Sequence, residues 1–176
     1  MHKKLWMFLS FALTVAILIV ALKVINWIPV AIQKDEIRRY RDIEEVKSKL
    51  KIKDIYVPAY FPEYFSWPPS EIWAQKKPFP AVIMHFIYKD RRDIALIIAQ
   101  TYSKSDFSAQ FKIKPLHIKE RVRLSIKGRD GELVLGLCEN NVPCTQVSWI
   151  EGAYRLNVIG KYPPIELIKI AESMLD

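Results

Sequence analysis

Residues 132–160 read ELVLGLCENNVPCTQVSWIEGAYRLNVIG, and this stretch decides the fold. LVLGL before Cys138 and TQVSWI after Cys144 are both strand-like. Five residues, ENNVP, separate the two cysteines. A hairpin over that loop sets Cys138 and Cys144 opposite one another, within disulfide reach. Glu151-Gly152 then offers a tight turn, and AYRLNVIG (153–160) a further strand. A structural disulfide fits an oxidising compartment; the other reading is two unpaired, partly buried thiols. The spacing excludes a redox C-x-x-C, and the remaining ligands of a zinc site are missing.

Working outward, residues 111–131 read FKIKPLHIKERVRLSIKGRDG. Their second half alternates strictly: Val122, Leu124 and Ile126 point one way, Arg121, Arg123, Ser125 and Lys127 the other. AVIMHFIY (81–88) and DIALIIAQTYS (93–103) flank the charged turn KDRRD and are apolar enough to be central strands. Taken together, these segments read as an antiparallel meander. After Pro163-Pro164, the run IELIKIAESMLD is a helix start and a helix that is apolar on most sides. Glu166, Lys169, Glu172, Ser173 and Asp176 share its one polar arc. Such a helix must be covered on most sides, most simply by a curved sheet. The fold class is therefore α+β: an N-terminal transmembrane helix, then a curved antiparallel sheet packed on a C-terminal helix.

Upstream, residues 55–80 hold six prolines and eight aromatic residues. Proline excludes a regular helix and a central strand here. The rings either cover one end of the core or line a groove for an apolar, peptide or glycan ligand. Residues 33–51, QKDEIRRYRDIEEVKSKLK, lack Gly and Pro, and Tyr40, Ile43, Val46 and Leu50 fall on one helical stripe. Opposite charges sit four apart in Asp35–Arg39, Arg38–Asp42, Arg41–Glu45 and Glu45–Lys49. This predicts an amphipathic helix that packs one stripe on the domain or lies at a membrane or dimer surface.

The first residues decide location. Residues 5–22, LWMFLSFALTVAILIVAL, carry no charge, and eighteen helical residues rise about 27 Å against a bilayer core of about 30 Å. The run is longer than a cleaved signal's apolar core, and no small-residue cleavage site follows. An uncleaved signal anchor is expected, with Trp27 at the interface. Lys3 and Lys4 favour an inside N-terminus, whereas Lys23, Lys34, Arg38, Arg39 and Arg41 count the other way. Folded domains translocate largely regardless of such charges, so the bulk of the chain is expected outside the cytoplasm. The expected divisions are 1–32 (signal anchor and membrane helix), 33–51 (juxtamembrane helix) and 52–176 (extracytoplasmic α+β domain).

Two sets of motifs carry a resemblance. One is Pro58-Ala59-Tyr60-Phe61-Pro62-Glu63; the other is Val147-Ser148-Trp149-Ile150-Glu151-Gly152-Ala153-Tyr154-Arg155-Leu156 followed by the helix from Ile165 to Met174. Over roughly residues 55–175 the chain resembles an uncharacterised extracytoplasmic domain family of bacteria. That family occurs in anti-sigma-factor-like and sporulation-associated membrane proteins and is related in fold to outer-membrane lipoprotein carriers. The resemblance implies a curved sheet around a helix, and sensing or binding in place of catalysis. Residues 67–80 depart from the pattern. Regulatory members place a zinc-binding module before the membrane helix; only four residues precede it here, so no hold on a sigma factor is expected.

No hydrolase, metalloprotease, phosphate-loop or dinucleotide motif occurs. His2 lies in the tail, His85 in an apolar strand and His117 beside basic residues; on a strand His117 and Glu120 face opposite sides, which excludes a metal pair. Asp90, Asp93, Asp130 and Glu132 sit in turn-like stretches. No enzyme and no cofactor are expected. The function read here is a membrane-anchored binding or sensing module of the cell envelope, its ligand a lipid, a peptide or an envelope protein. The alternatives are a structural envelope-assembly protein with a permanent partner, and a hydrolase. The candidate ligand-binding residues are Tyr60, Phe61, Tyr64, Trp67 and Trp73 of the aromatic stretch, with Lys119, Arg121 and Arg123 of the basic one. Expected partners are the lipid bilayer and an envelope protein or an anionic or apolar ligand; the compartment excludes nucleic acid.

Composition sharpens under this division. The chain has 176 residues, 51% of them hydrophobic, and a formal charge of +8. Much of the apolar share belongs to residues 5–22 and the final helix. Residues 112–129 carry seven basic residues against Glu120 alone, leaving the rest of 33–176 near neutral. A basic strip of this kind suits anionic headgroups, acidic polymers or an acidic partner, or else is a solvated face.

Overall fold

The computed structural model describes residues 6–7, 12–23, 37–102 and 113–175. The chain divides into two compact units, Met1–Ile37 and Arg38–Asp176. In the first, residues 6–7 and 12–23 are helical. Leu13, Ile17, Leu18, Ile19, Val20 and Leu22 are all more than half exposed. Among the described residues, no helix is long and apolar enough to cross a membrane. The other residues of the expected 5–22 span, Lys3, Lys4, Trp27 and Lys34 lie outside the described residues.

Among the described residues, the second unit is an eight-stranded antiparallel sheet with two α-helices. The strands are β1 (Arg38–Tyr40), β2 (Glu71–Gln75), β3 (Ala81–Ile87), β4 (Ile94–Tyr102), β5 (His117–Ile126), β6 (Arg129–Leu137), β7 (Pro143–Glu151) and β8 (Tyr154–Gly160). The helices are α1 (Ile43–Leu50) and α2 (Pro164–Ser173). The expected α+β class, a curved antiparallel sheet with a C-terminal helix, is what the chain forms.

The spatial order is β1-β2-β3-β4-β8-β7-β6-β5, which corrects the single meander. β4 takes β8 as its second neighbour, and β5 closes the far edge. Burial explains the choice. β4 is buried at all but its two end residues and β8 from Leu156 to Gly160, and the two lie together in the middle, whereas seven successive residues of β5 are exposed. β3 is buried at all but its last residue, so the expectation of central strands at 81–88 and 93–103 holds.

Register defines two faces. Val122, Leu133, Val147, Val158, Ile98, Met84, Ile72 and Tyr40 run in one row across all eight strands. This row lines the core face, where Leu167, Ile170 and Ala171 of α2 and Val46 of α1 are fully buried. Burying each such aliphatic side chain contributes about 1.5–3 kcal/mol. Ser173, read as polar surface, is only 8% exposed; its hydroxyl donates to the Ile170 and Tyr60 carbonyls. Its own carbonyl accepts from Ala59 N–H at 3.1 Å, so the end of α2 is tied to the aromatic stretch.

Two further expectations are corrected. Residues 33–51 are not one helix. Asp42 caps α1, accepting from Glu45 N–H at 2.7 Å, while the Glu45 carboxylate accepts from Arg41 N–H at 2.7 Å. That reciprocal cap starts the helix at Ile43 and leaves Arg38–Tyr40 free to pair with Ile72–Ala74. Of the expected ion pairs, Glu45–Lys49 forms at 2.7 Å. Arg38 lies in the strand, and Asp35 lies outside the described residues. The second correction is β2, an internal strand within the proline-rich segment. Its five residues fall between Pro69 and Pro78, and the Pro-free window is long enough to bury Ile72 and Ala74.

Candidate functional site

The aromatic stretch closes one end of the core. Phe65 is 2% exposed and meets Phe61 at 5.2 Å, Tyr64 at 4.8 Å, Tyr88 at 5.8 Å and Tyr162 at 5.0 Å between ring centroids. Phe61 packs on Phe86 at 4.7 Å, Trp67 stacks on Phe86 at 6.0 Å, and Tyr64 stacks on Tyr162 at 5.1 Å. Such pairs add to the area they bury. Phe61 therefore belongs to the core's edge, while Tyr60, Tyr64 and Trp67 remain 41–51% exposed on its rim. Burial raises the phenol pKa of Tyr64, and that of Tyr162 well above the ordinary range, with a hydrogen bond to Tyr88 adding to the latter. Trp73 stands apart on β2, donating to Glu71 Oε2 at 3.2 Å, which His85 Nδ1 also meets at 3.2 Å.

The basic residues lie on the edge strand β5, with four strands between it and β3, the strand that carries Phe86. Of the candidates, the structure brings Lys119, Arg121 and Arg123 together on β5 and Tyr60, Phe61, Tyr64 and Trp67 together at the core's end; it does not join the two groups. Arg121 and Arg129 of the strip meet carboxylates. Arg121 meets Glu132 at 3.1 Å. Arg129 grips both carboxylate oxygens of Glu151 at 2.7 and 3.2 Å, and that hydrogen-bonded carboxylate raises the guanidinium pKa. Lys119 and Arg123 have no ion pair among the described residues.

An open cavity of about 420 Å³ sits beside this strip, lined by Arg123, Asp130, Glu132, Ser148, Ile150 and Arg155 among others. Its frame is a row of pairs on the outer face, Arg123 opposite Glu132, Glu132 opposite Ser148, and Ser148 opposite Asn157. Arg155 pairs with Ile150 two residues along the strands. Arg123 and Arg155 thus approach from strands three steps apart, about 14 Å at about 4.8 Å per step, with Ser148 and Glu132 between them. Arg155 likewise has no ion pair among the described residues. With Glu132 engaged by Arg121, the uncompensated groups are two guanidiniums and Asp130. Such a site suits an anionic group held between the arginines, with Asp130 available to accept from a donor on the same ligand.

Arg155, Ser148 and Asp130 are not among the candidate binding residues read from the sequence: Ser148 and Arg155 appear there only in the resemblance motif, and Asp130 only as a turn residue. No local signal joins them to Arg123; only the register of four strands does. A smaller cavity of about 210 Å³ is lined by Ile94, Ile113, Cys138, Glu139, Asn140, Val142 and Lys161. It borders the Cys138–Cys144 disulfide, which forms across the β6–β7 hairpin with 5.7 Å between Cα atoms. Among the described residues no group of three or more His, Cys, Asp or Glu is placed to hold a metal ion. The chain matches no protein-family model, no curated protein and no solved structure.

Proposed function

We propose that this protein is a membrane-anchored, extracytoplasmic binding module of the cell envelope, and that it binds an anionic group on the outer face of β5–β8. The observation that carries the binding reading is the open cavity flanked by Arg123 and Arg155, neither of which is ion-paired within the described chain. The disulfide supports an oxidising compartment. The exposed apolar residues of helix 12–23 support contact with the bilayer, since water disfavours so large an unbroken apolar surface. The proposed kinship with the extracytoplasmic family rests on the motifs at 58–63 and 147–156 and on the helix from Ile165 to Met174. The role proposed is binding in place of catalysis, as the resemblance to the extracytoplasmic family implies.

The test is purification of the full chain from membranes, comparing the wild type with an Arg123→Glu/Arg155→Glu variant. An anionic lipid, polymer or acidic protein that accompanies the wild type and is lost from the variant supports the reading. A ligand retained equally by both would place binding elsewhere, with the exposed rim of Tyr60, Tyr64 and Trp67 as the next surface to vary.

A further inference from the structure

The two edges of the sheet are unequal. β1 ends it with three residues, whereas β5 ends it with ten. Among the described residues nothing pairs with the outer edge of β5. Short, blunt edges protect a sheet from added strands; long open ones invite them.

Backbone geometry shows which groups are open. The β5–β6 turn is Lys127-Gly128, both with positive φ (43° and 83°), the signature of a two-residue type I′ hairpin. Ile126 and Arg129 flank it as the first pair, so Ile126, Leu124, Val122 and Glu120 exchange hydrogen bonds with β6. The alternate residues Ser125, Arg123 and Arg121 direct their N–H and C=O groups outward. These same residues place their side chains on the face that carries the cavity. The register irregularity between Ile118 and Glu120 marks the end of this regular stretch. On the core face the edge also shows apolar surface, with Val122 39% exposed.

We propose that β5 accepts an extended acidic segment of a partner protein, which adds to the sheet as a further antiparallel strand. The inference rests on the outer face being a binding surface and names the partner's chemistry. Main-chain bonds to Arg121, Arg123 and Ser125 supply the docking. The added strand carries Asp or Glu at alternate positions, chiefly beside Arg123, since Arg121 is already held by Glu132, and apolar residues between them, beside Val122 and Leu124. A second copy of this chain fits worse, since β5 against β5 sets Lys119, Arg121 and Arg123 against their own kind.

The experiment uses the full isotope-labelled chain in detergent micelles and a blocked heptapeptide of alternating Glu and Val, with a Lys–Val peptide as control. Amide exchange at Arg121, Arg123 and Ser125 is expected to slow by about tenfold or more at saturation, while Val122 and Leu124 stay unchanged. Ser125→Pro keeps every charge and removes one outward donor; it should weaken binding about three- to tenfold, the loss of one hydrogen bond. Because the wild-type exchange pattern is decisive alone, a poorly folded Ser125→Pro variant leaves the test intact. Binding that Arg123→Glu weakens, with no slowing at the three amides, overturns strand addition and leaves the binding face standing. No peptide binding, while an anionic ligand still accompanies the membrane-purified protein, overturns the strand partner alone. Slowing that depends on protein concentration without peptide identifies a second copy as the occupant and overturns the proposal.

Discussion

Replacing Phe65 by Ala measures whether the aromatic stretch is core or groove. Phe65 is 2% exposed and touches four other rings within 5.8 Å. A buried Phe→Ala change costs about 3–5 kcal/mol, and loss of paired ring contacts adds to it. Partial closure of neighbouring rings offsets some of that, so about 4 kcal/mol is expected. At about 2–4 °C per kcal/mol for a chain of this size, the midpoint falls by about 12 °C. Trp67, 51% exposed and set on the rim against Phe86, supplies the comparison: Trp67→Ala should cost about 1–2 kcal/mol. The assay is urea unfolding of the full chain in mild detergent, followed by tryptophan fluorescence and circular dichroism. A loss below about 1 kcal/mol for Phe65→Ala would refute the reasoning. So would a larger loss for Trp67→Ala. Either result would return the stretch to a ligand-lined groove.

Three further outcomes follow from the same geometry. Replacing Cys138 and Cys144 by Ser opens a loop closed across six positions and should cost about 2 kcal/mol on the loop-entropy scale, read as a lowered unfolding midpoint. Gly136→Ala should cost about 1–3 kcal/mol and loosen β5 from β6, because a Cβ there would meet the His117 carbonyl oxygen at 2.6 Å and backbone must move; faster amide exchange across His117–Glu120 would report it. In alkaline solution, the unfolded phenols ionise near pH 10, whereas burial keeps Tyr162 and Tyr64 protonated beyond it in the folded chain. Their contribution is complete below about pH 10 and is lost as pH rises toward the folded values, so the unfolding midpoint should fall above about pH 10. Phenolate absorbance of Tyr162 should then grow in step with unfolding; early growth in the folded chain would contradict its burial.

Local patterning carried much of the fold. Alternation at 121–127, the apolar runs at 81–103 and the cysteine-flanked hairpin each reflect a period or a short-range turn, so single-sequence reading reaches them. The pairing of β4 with β8 depends on which distant edges meet, and no local pattern encodes it. The helix expected over 33–51 failed where two signals competed. Charge spacing favoured one long helix, but the Asp42–Glu45 cap and an unpaired edge at β2 together broke it at Ile43. β2 was hidden because proline density was read across the whole segment when only the window from Glu71 to Gln75 mattered. At the candidate site, Arg123 was legible from its basic neighbours. Arg155 was not, because its relation to Arg123 exists only once four strands are in register. Gln100 is a similar case: a lone amide in an apolar strand, buried at 1%, it accepts from Tyr56 N–H and donates to the Asp54 carbonyl, pinning the chain that leads into the aromatic stretch.

The proposed envelope role depends on residues 38–176 lying outside the cytoplasm. A reporter that is active only outside the cytoplasm, fused after Asp176 of the full chain, measures this directly. An active fusion in the membrane fraction is the predicted result. A fusion that is expressed and membrane-bound but silent, with Cys138 and Cys144 found as free thiols, would contradict the extracytoplasmic assignment.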